Sequence, residues 1–304
     1  MKKITTLLVF IFLYSYASSF GKEKPSDNFA QQSVLLKMNL KKGLKYIFTT
    51  NTSQLIAQEV MGNKMDIKQH TDIDYIYEVI ESNAQGMLIK TTYQNILIDT
   101  QTPQGNISYD SKKKDNADSP LKNIGNMVGK SFTMHASAEG EVTQIKGMQE
   151  IVNSIGGDAT TKQLLKQQFS DSAFINMMNM ALNIYPNKEM KIGESWQKIS
   201  TAEMAGMMKM NTQNTYTLKS LEKDNAIIAV QSNIDLLPLP NKGVLGNIEF
   251  NLKGTQSGTI KSHLQSGMIT SSVIHQEIKG NVSAQGIKIP MTITSDITLT
   301  GREM

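Results

Sequence analysis

Four histidines, His70, His135, His263 and His275, are the side chains best suited to general acid–base work near neutral pH. None has a neighbour that would complete a site. There is no His-Glu-x-x-His, and no pair stands at metal-ligand spacing along a helix, so all four read as surface histidines in strands or at strand ends. His275 falls by alternation on the wet side of its strand, away from the face of Ile274 and Ile278. Three Ser-x-x-Lys matches, Ser119 to Lys122, Ser195 to Lys198 and Ser220 to Lys223, arise in a chain rich in both residues. None opens a long helix, and no Lys-Thr-Gly accompanies them. Gly254-Thr-Gln-Ser-Gly258 has the outline of a nucleophile elbow, but its central position is Gln256. Asp72 and Asp74 share one strand face and read as an exposed acidic ladder, and Trp196 is the one tryptophan with which to stack a sugar. No catalytic residue is assigned, and the chain is expected not to be an enzyme.

Methionine is the compositional oddity, with 19 residues, several of them clustered at Met177, Met178 and Met180 and at Met204, Met207, Met208 and Met210. Thioethers hold Cu(I), a soft ion, and they also fill irregular cores and line adaptable apolar pockets. Met177 and Met178 sit on the helical stripe that packing demands, which favours packing, with Met-rich Cu(I) handling kept as an alternative. No metal ligand set and no cofactor is expected.

The elements that must position these residues are mostly strands. The chain has 304 residues, 39% of them apolar and 19% charged, a balance suited to burying a core. It has no cysteine, which excludes disulfides, thiol nucleophiles, zinc ribbons and a lipidated N-terminus. Lys2 and Lys3 precede an apolar stretch from Ile4 to Tyr14 and then small residues, the pattern of a secretory signal peptide over residues 1–21. Its removal takes two lysines and no acid, lowering the formal net charge from +4 to +2. The basic residues are lysines except Arg302, so nucleic acid is not an expected partner, since its readers lean on arginine forks. Lys112 to Lys114, followed by Asp115 and Asp118, reads as a solvated loop. No later segment is long and apolar enough for a span of about 20 residues, so an exported chain, periplasmic or extracellular and without an integral span, is expected.

From residue 33 onward, β-branched, aromatic and Thr/Ser residues alternate between Gly-Asn, Ser-Gly and Gln-Gly breaks, as in antiparallel hairpins. The clearest strand runs from Ile287 to Leu299, with Ile287, Ile289, Met291, Ile293, Ile297 and Leu299 on one face and only Ser295 interrupting. Pro290 marks it as an edge, or as a position whose missing donor does not matter. The period then changes from two to about 3.6 over residues 147–185. Met148, Ile151, Val152 and Ile155 make one helix stopped by Gly156-Gly157, and Leu164, Leu165 and Phe169 a second. A third starts near Ser170-Asp171, with Phe174, Met177, Met178, Ala181 and Leu182 on its apolar stripe and Asn176, Asn179 and Asn183 opposite. A weak duplication pairs Asp74-Tyr75 through Asn95-Ile96 with Thr215-Tyr216 through Asn233-Ile234, and Gly129-Lys-Ser-Phe132 with Gly193-Glu-Ser-Trp196.

Leu40-Lys-Lys-Gly-Leu-Lys-Tyr46, Val60-Met-Gly-Asn63, Tyr109-Asp-Ser111, Gly129-Lys-Ser-Phe132, Gly140-Glu-Val142, Ile145-Lys-Gly147 and Tyr185-Pro186 leading to Ile192-Gly-Glu-Ser-Trp196 together resemble an uncharacterised family of exported bacterial proteins, domain of unknown function 6263. The resemblance extends over nearly all of the chain after the leader and implies a fold but no functional residue. Many members look like lipoproteins, from which this chain departs in lacking the cysteine. The long C-terminal hairpins are also loosely similar in architecture to periplasmic lipoprotein carriers and related lipid-binding proteins.

The expected fold is α+β, mainly β: long antiparallel hairpins forming one or two curved sheets, with an N-terminal β half over 33–146, a helical insert over 147–185 and a C-terminal β half over 186–304. The expected function is an exported binding protein with an apolar site for a lipid-like ligand or an acylated partner protein, contacted by Met177, Met178, Leu182 and Trp196. The alternative is an envelope interaction or scaffold protein with a closed core.

Overall fold

A computed structural model describes residues 33–304 apart from 61, 114–115, 117, 157–165, 167–169, 205–207, 240–247 and 285. The leader at 1–21, the helix expected around Leu164 to Phe169, and Lys114, Asp115 and Met207 lie outside the described residues.

Period-two alternation puts apolar side chains on one face of long strands, and a large antiparallel sheet is how such strands bury that face. Twelve strands form it: β2 (Lys45–Val60), β3 (Asn63–Asn83), β4 (Gly86–Thr102), β5 (Gly105–Asp110), β6 (Ser131–Ala136), β7 (Val142–Lys146), β9 (Ser195–Met204), β10 (Met208–Glu222), β11 (Asn225–Pro238), β12 (Ile248–His263), β13 (Ile269–Ala284) and β14 (Ile287–Glu303). The order is β7-β6-β4-β3-β2-β14-β13-β12-β11-β10-β9, with β5 beside β4. The two β halves are therefore one sheet, stitched by β14 against β2 from Met291↔Gln58 to Glu303↔Tyr46. β14 is central rather than an edge. Pro290 sits one residue before the ladder to β2 begins, where a missing donor breaks no bond on that side. A separate ribbon pairs β1 (Ser33–Leu36) with β8 (Lys188–Lys191).

Two helices stand where the period changes. α1 (Met148–Ile155) buries Met148, Ile151, Val152 and Ile155, and ends at Gly156, whose φ of 72° suits a residue without Cβ. α2 (Asp171–Leu182) is capped by the Ser170 hydroxyl, which accepts from the Ala173 N–H at 3.3 Å. α2 packs on β7 and on β9, the two margins of the sheet, so the sheet is rolled until both margins meet one helix.

The margins are tied differently. On one side the Asn179 side chain, expected on the wet face of α2, turns to the sheet: its Oδ1 accepts from the Val142 N–H at 2.6 Å and its Nδ2 donates to the Val142 carbonyl at 3.0 Å. One amide thus stands in for the missing neighbour of the β7 edge. On the other side the Trp196 indole donates to the Ile184 carbonyl at 2.7 Å, and Lys198 Nζ donates to Asn183 Oδ1 at 2.9 Å.

Inside the roll runs a polar belt. Thr100, Gln69, Gln54, Ser295, Gln276, Gln256, Ser232, Asn214 and Lys198 are successive cross-strand partners on nine adjoining strands, so all face inward at one level. Neighbours bond along it: Gln54 Nε2 to Ser295 Oγ at 3.0 Å, Ser232 Oγ to Asn214 Oδ1 at 2.6 Å, Gln276 Nε2 to Gln256 Oε1 at 3.4 Å. On one side lies the smaller apolar cluster, with Ile56, Ile67, Ile234, Ile278 and Ile293; on the other lies the larger, which takes in the helices. Gly254 and Gly280 flank the belt on β12 and β13, and a Cβ at either would overlap a carbonyl oxygen of the neighbouring strand, Glu277 or Asn251. These are close backbone approaches that only glycine permits.

Two measurements test this architecture. Gly280, at φ 153°, has no room for a methyl group, whereas Gly105, at φ 135°, faces open space. Gly280→Ala is expected to cost about 3 kcal/mol and Gly105→Ala about 1 kcal/mol in denaturant unfolding, the difference being overpacking. Asn179→Leu keeps side-chain bulk but leaves both Val142 backbone groups unpaired, with an expected loss of about 2 kcal/mol and faster amide exchange at Val142.

Candidate functional site

Between α2 and the inner face of the sheet lies a cavity of about 50 Å³. The helix contributes Phe174, Met177, Met178, Ala181 and Leu182, its i, i+3, i+4, i+7, i+8 stripe. The opposite wall is different in kind: Thr50, Tyr75, Tyr77, Thr91 and Tyr93 bring hydroxyls, beside Phe132, Ile297 and Leu299. A second space of about 20 Å³ shares Tyr75, Tyr77, Leu182 and Leu299 with the first and is closed off by Met38, Leu40 and Tyr185. The Tyr185 hydroxyl is bonded to Ser262 Oγ and the Gly267 carbonyl, which fixes that end.

Register explains the hydroxyl wall. Tyr75 pairs with Phe48 on one side and with Tyr93 on the other, and Tyr77 pairs with Thr91, which in turn pairs with Phe132. The rings pack together, Phe48 with Tyr75 at 5.5 Å and with Tyr77 at 4.9 Å, and Phe132 edge-on to Phe174 of α2 at 5.1 Å. Desolvation pushes the Tyr75 phenol up to about 12, against hydrogen bonds with Thr50 and Tyr77 that lower it. Burial raises Tyr93 also, with a smaller contribution from Tyr75. Both phenols are therefore neutral at physiological pH. Thr91 is 3% exposed, and its Oγ1 has no hydrogen-bond partner among the described residues.

Of the four residues singled out from sequence, Met177, Met178 and Leu182 come together in this wall. Trp196 does not join them: it stacks on Tyr216 at 5.6 Å and holds the far end of the helix. The hydroxyl wall is not evident in the sequence. Its signal is the aromatic alternation of Tyr75 and Tyr77, but bulges at Asp74/Tyr75 and Val79/Glu81 set which residues face them on β4.

The remaining sequence candidates lie elsewhere. Ser195 and Lys198 are three apart on a strand and so point to opposite faces; Ser195 bonds Thr217 at 2.8 Å, away from the lysine. Gly254 to Gly258 lies within β12, where Gln256 is a belt residue. Met208 and Met210 are buried in the smaller apolar cluster, and Met180 packs against it. Asp72 and Asp74 form a ladder on the outer face, partly shielded, taking bonds from Asn51 at 2.7 Å and Thr49 at 2.8 Å. Lys112 reaches Asp74 at 3.4 Å. Beside them Ser53 Oγ lies 3.3 Å from His70 Nδ1, and His70 Nε2 lies 3.0 Å from Asp72 Oδ1. Ser53 of this Ser–His–Asp chain sits mid-strand with ladders on both sides that take up the backbone N–H groups, so its own strand offers no free backbone donors for an oxyanion.

No characterised protein matches the chain by sequence. Among solved structures, one of lipovitellin concerned with lipid–protein interactions is similar at a TM-score of 0.50 and 10% identity, over 86% of this chain and 25% of that one. The chain thus spans a quarter of that protein, and the likeness is one of fold. The outer-membrane protein OccK7 (OpdD) of Pseudomonas aeruginosa aligns over 86% of this chain and 100% of its own at 7% identity, with a TM-score of 0.26. The translocator domain of the autotransporter NalP from Neisseria meningitidis aligns over 91% of each chain at 8% identity, with a TM-score of 0.25. Both scores are too low to indicate a shared fold. No helix among the described residues is long and apolar enough to cross a membrane. A family model matches residues 84–269, a narrower span than the motifs near Leu40 and Val60 suggest, yet one that holds both sheet margins and the helix between them. With more than half of its length in that match, the chain belongs to a family of unknown function, DUF6263.

Proposed function

We propose that this is an exported protein that binds an apolar, lipid-like ligand or an acylated partner between α2 and the sheet. The observation that carries the reading is the cavity beneath a helix whose apolar stripe is only partly buried at Met177 and Met178. Unbranched thioethers re-pack readily, which suits a wall that must move aside for a guest. On β2 and β3 the outer face carries Thr49, Asn51, Ser53, Asp72 and Asp74, while apolar rows face inward toward the helix. The fold-level likeness to lipovitellin agrees with lipid as the ligand class but is analogy. Export is supported by the Lys2-Lys3 leader.

One observation favours a second reading. At about 50 Å³ the cavity is well below the 150 Å³ or so that admits benzene in an engineered apolar core, so a scaffold protein with a closed core fits the resting structure. Cu(I) handling is the weaker alternative, because Met208 and Met210 pack among isoleucines and leucines.

Met178→Asp separates the first two. In a wall that opens to solvent the carboxylate stays hydrated, so the protein is expected to fold, with a melting temperature within a few degrees of wild type, while affinity for a fluorescent acyl methyl ester falls about tenfold or more. A wild type that binds no probe, beside a variant that fails to fold, establishes the closed core instead.

A further inference from the structure

The chemistry of the cavity wall says more about the ligand than its size does. Eight of the residues around the larger space are apolar and five carry hydroxyls; no Asp, Glu, Lys, Arg or His is among the described residues lining either space. A carboxylate or phosphate placed there would be desolvated with no counter-charge, a cost that buried ions in proteins avoid by pairing or by neutralising. One of the hydroxyls, by contrast, lacks something. Thr91 Oγ1 is buried without a partner among the described residues, and a buried unpaired hydroxyl loses its hydration for nothing until an acceptor or donor arrives. Across the strand from Thr91 stands Tyr77, and one pair further along stand Tyr75 and Tyr93, so the polar groups are gathered on the sheet wall and the helix wall is wholly apolar.

We infer that the site takes an uncharged amphiphile, an acyl ester or long-chain alcohol, whose neutral oxygen bonds the hydroxyl wall at Thr91 and Tyr93 and whose chain lies against Met177 and Met178. This rests on the reading of the cavity as a ligand site and adds the class of head group. A free fatty acid, ionised at neutral pH, is disfavoured by the same wall. The polar belt bounds the space on one side: Ile297 of the cavity is followed inward by Ser295, so a chain running that way meets amide and hydroxyl groups rather than more hydrocarbon.

The test displaces a bound fluorescent acyl methyl ester from the full exported chain with 1-decanol, 1-chlorodecane and decanoate in mildly alkaline buffer. Decanol is expected to compete at a concentration at least about tenfold lower than decanoate. Thr91→Val, which keeps the side-chain shape, and Tyr93→Phe are each expected to weaken decanol about threefold or more while leaving 1-chlorodecane unchanged. Melting temperatures close to wild type show that the variants are folded. Decanoate competing as well as decanol, or variants that weaken both neutral ligands equally or neither, overturns the head-group inference and leaves the apolar site standing. The second of those results is also what a water bound at Thr91 would give. Folded wild type that binds no probe overturns the inference and the ligand-site reading together.

Discussion

A sheet of twelve strands has two margins, and the structure turns on how one short helix satisfies both. An uncovered edge offers a row of unpaired N–H and C=O groups to any passing strand. Here β7 is answered by a single side chain, Asn179, whose amide donates and accepts in the geometry of a peptide group. β9 is held by contacts near the helix end, from Trp196 and Lys198. Because α2 must reach both margins, the sheet has to roll, and because the helix lies across the gap rather than within the sheet, space remains beneath it. The cavity follows from closing an antiparallel sheet with a helix instead of with a last strand.

The polar belt answers a second problem, that of holding nine long strands in register. Period-two strands fit their neighbours nearly as well after a slip of two residues, since the apolar face is conserved by that shift. A row of Gln, Ser, Asn and Thr at one level breaks the degeneracy, for a two-residue slip of β14 in either direction would set Gln54 against an isoleucine, Ile293 or Ile297, and strand its amide. The belt is costly, since the Gln54 Oε1 has no partner among the described residues. It also divides the interior, so that the smaller apolar cluster is built from strand residues, with Met180 of α2 against it, and most of the helix stripe faces the larger.

Much of this was legible in the sequence, and the limits are physical. Alternation over Ile287–Leu299 gave a buried face correctly from Ile289 onward, and the period change gave α1 with its glycine stop and α2 with its start at Ser170-Asp171. Ser295 stood out as an interruption, but one serine cannot reveal a belt whose other members lie on eight other strands. Helical periodicity measures apolarity and so sets Asn179 on the wet side, whereas an amide that mimics a strand is polar by necessity. Gly254 to Gly258 looked like a failed catalytic motif, although its first glycine answers to a carbonyl on β13 that only tertiary structure brings near.

The recurrence of Gly129-Lys-Ser-Phe132 in Gly193-Glu-Ser-Trp196 has a structural basis, though not as part of one long repeat. The Gly129 N–H donates to the Tyr93 carbonyl and the Tyr93 N–H to the Lys130 carbonyl; the Gly193 N–H donates to Leu218 and the Leu218 N–H to Glu194 in the same pattern. Both glycines have left-handed φ, 79° and 90°. The strands they dock on are β4 and β10, whereas the wider alignment equates β10 with β3, so the two similarities cannot come from a single superposition. What the turns share is their product. Each starts a strand at or next to a margin and delivers an aromatic ring inward three residues later. Phe132 meets Phe174 in the first turn of α2, and Trp196 meets the Ile184 carbonyl just past its last. The helix is gripped at both ends by the same device, and its middle, Met177 and Met178, is left as the part of the wall that least determines the fold.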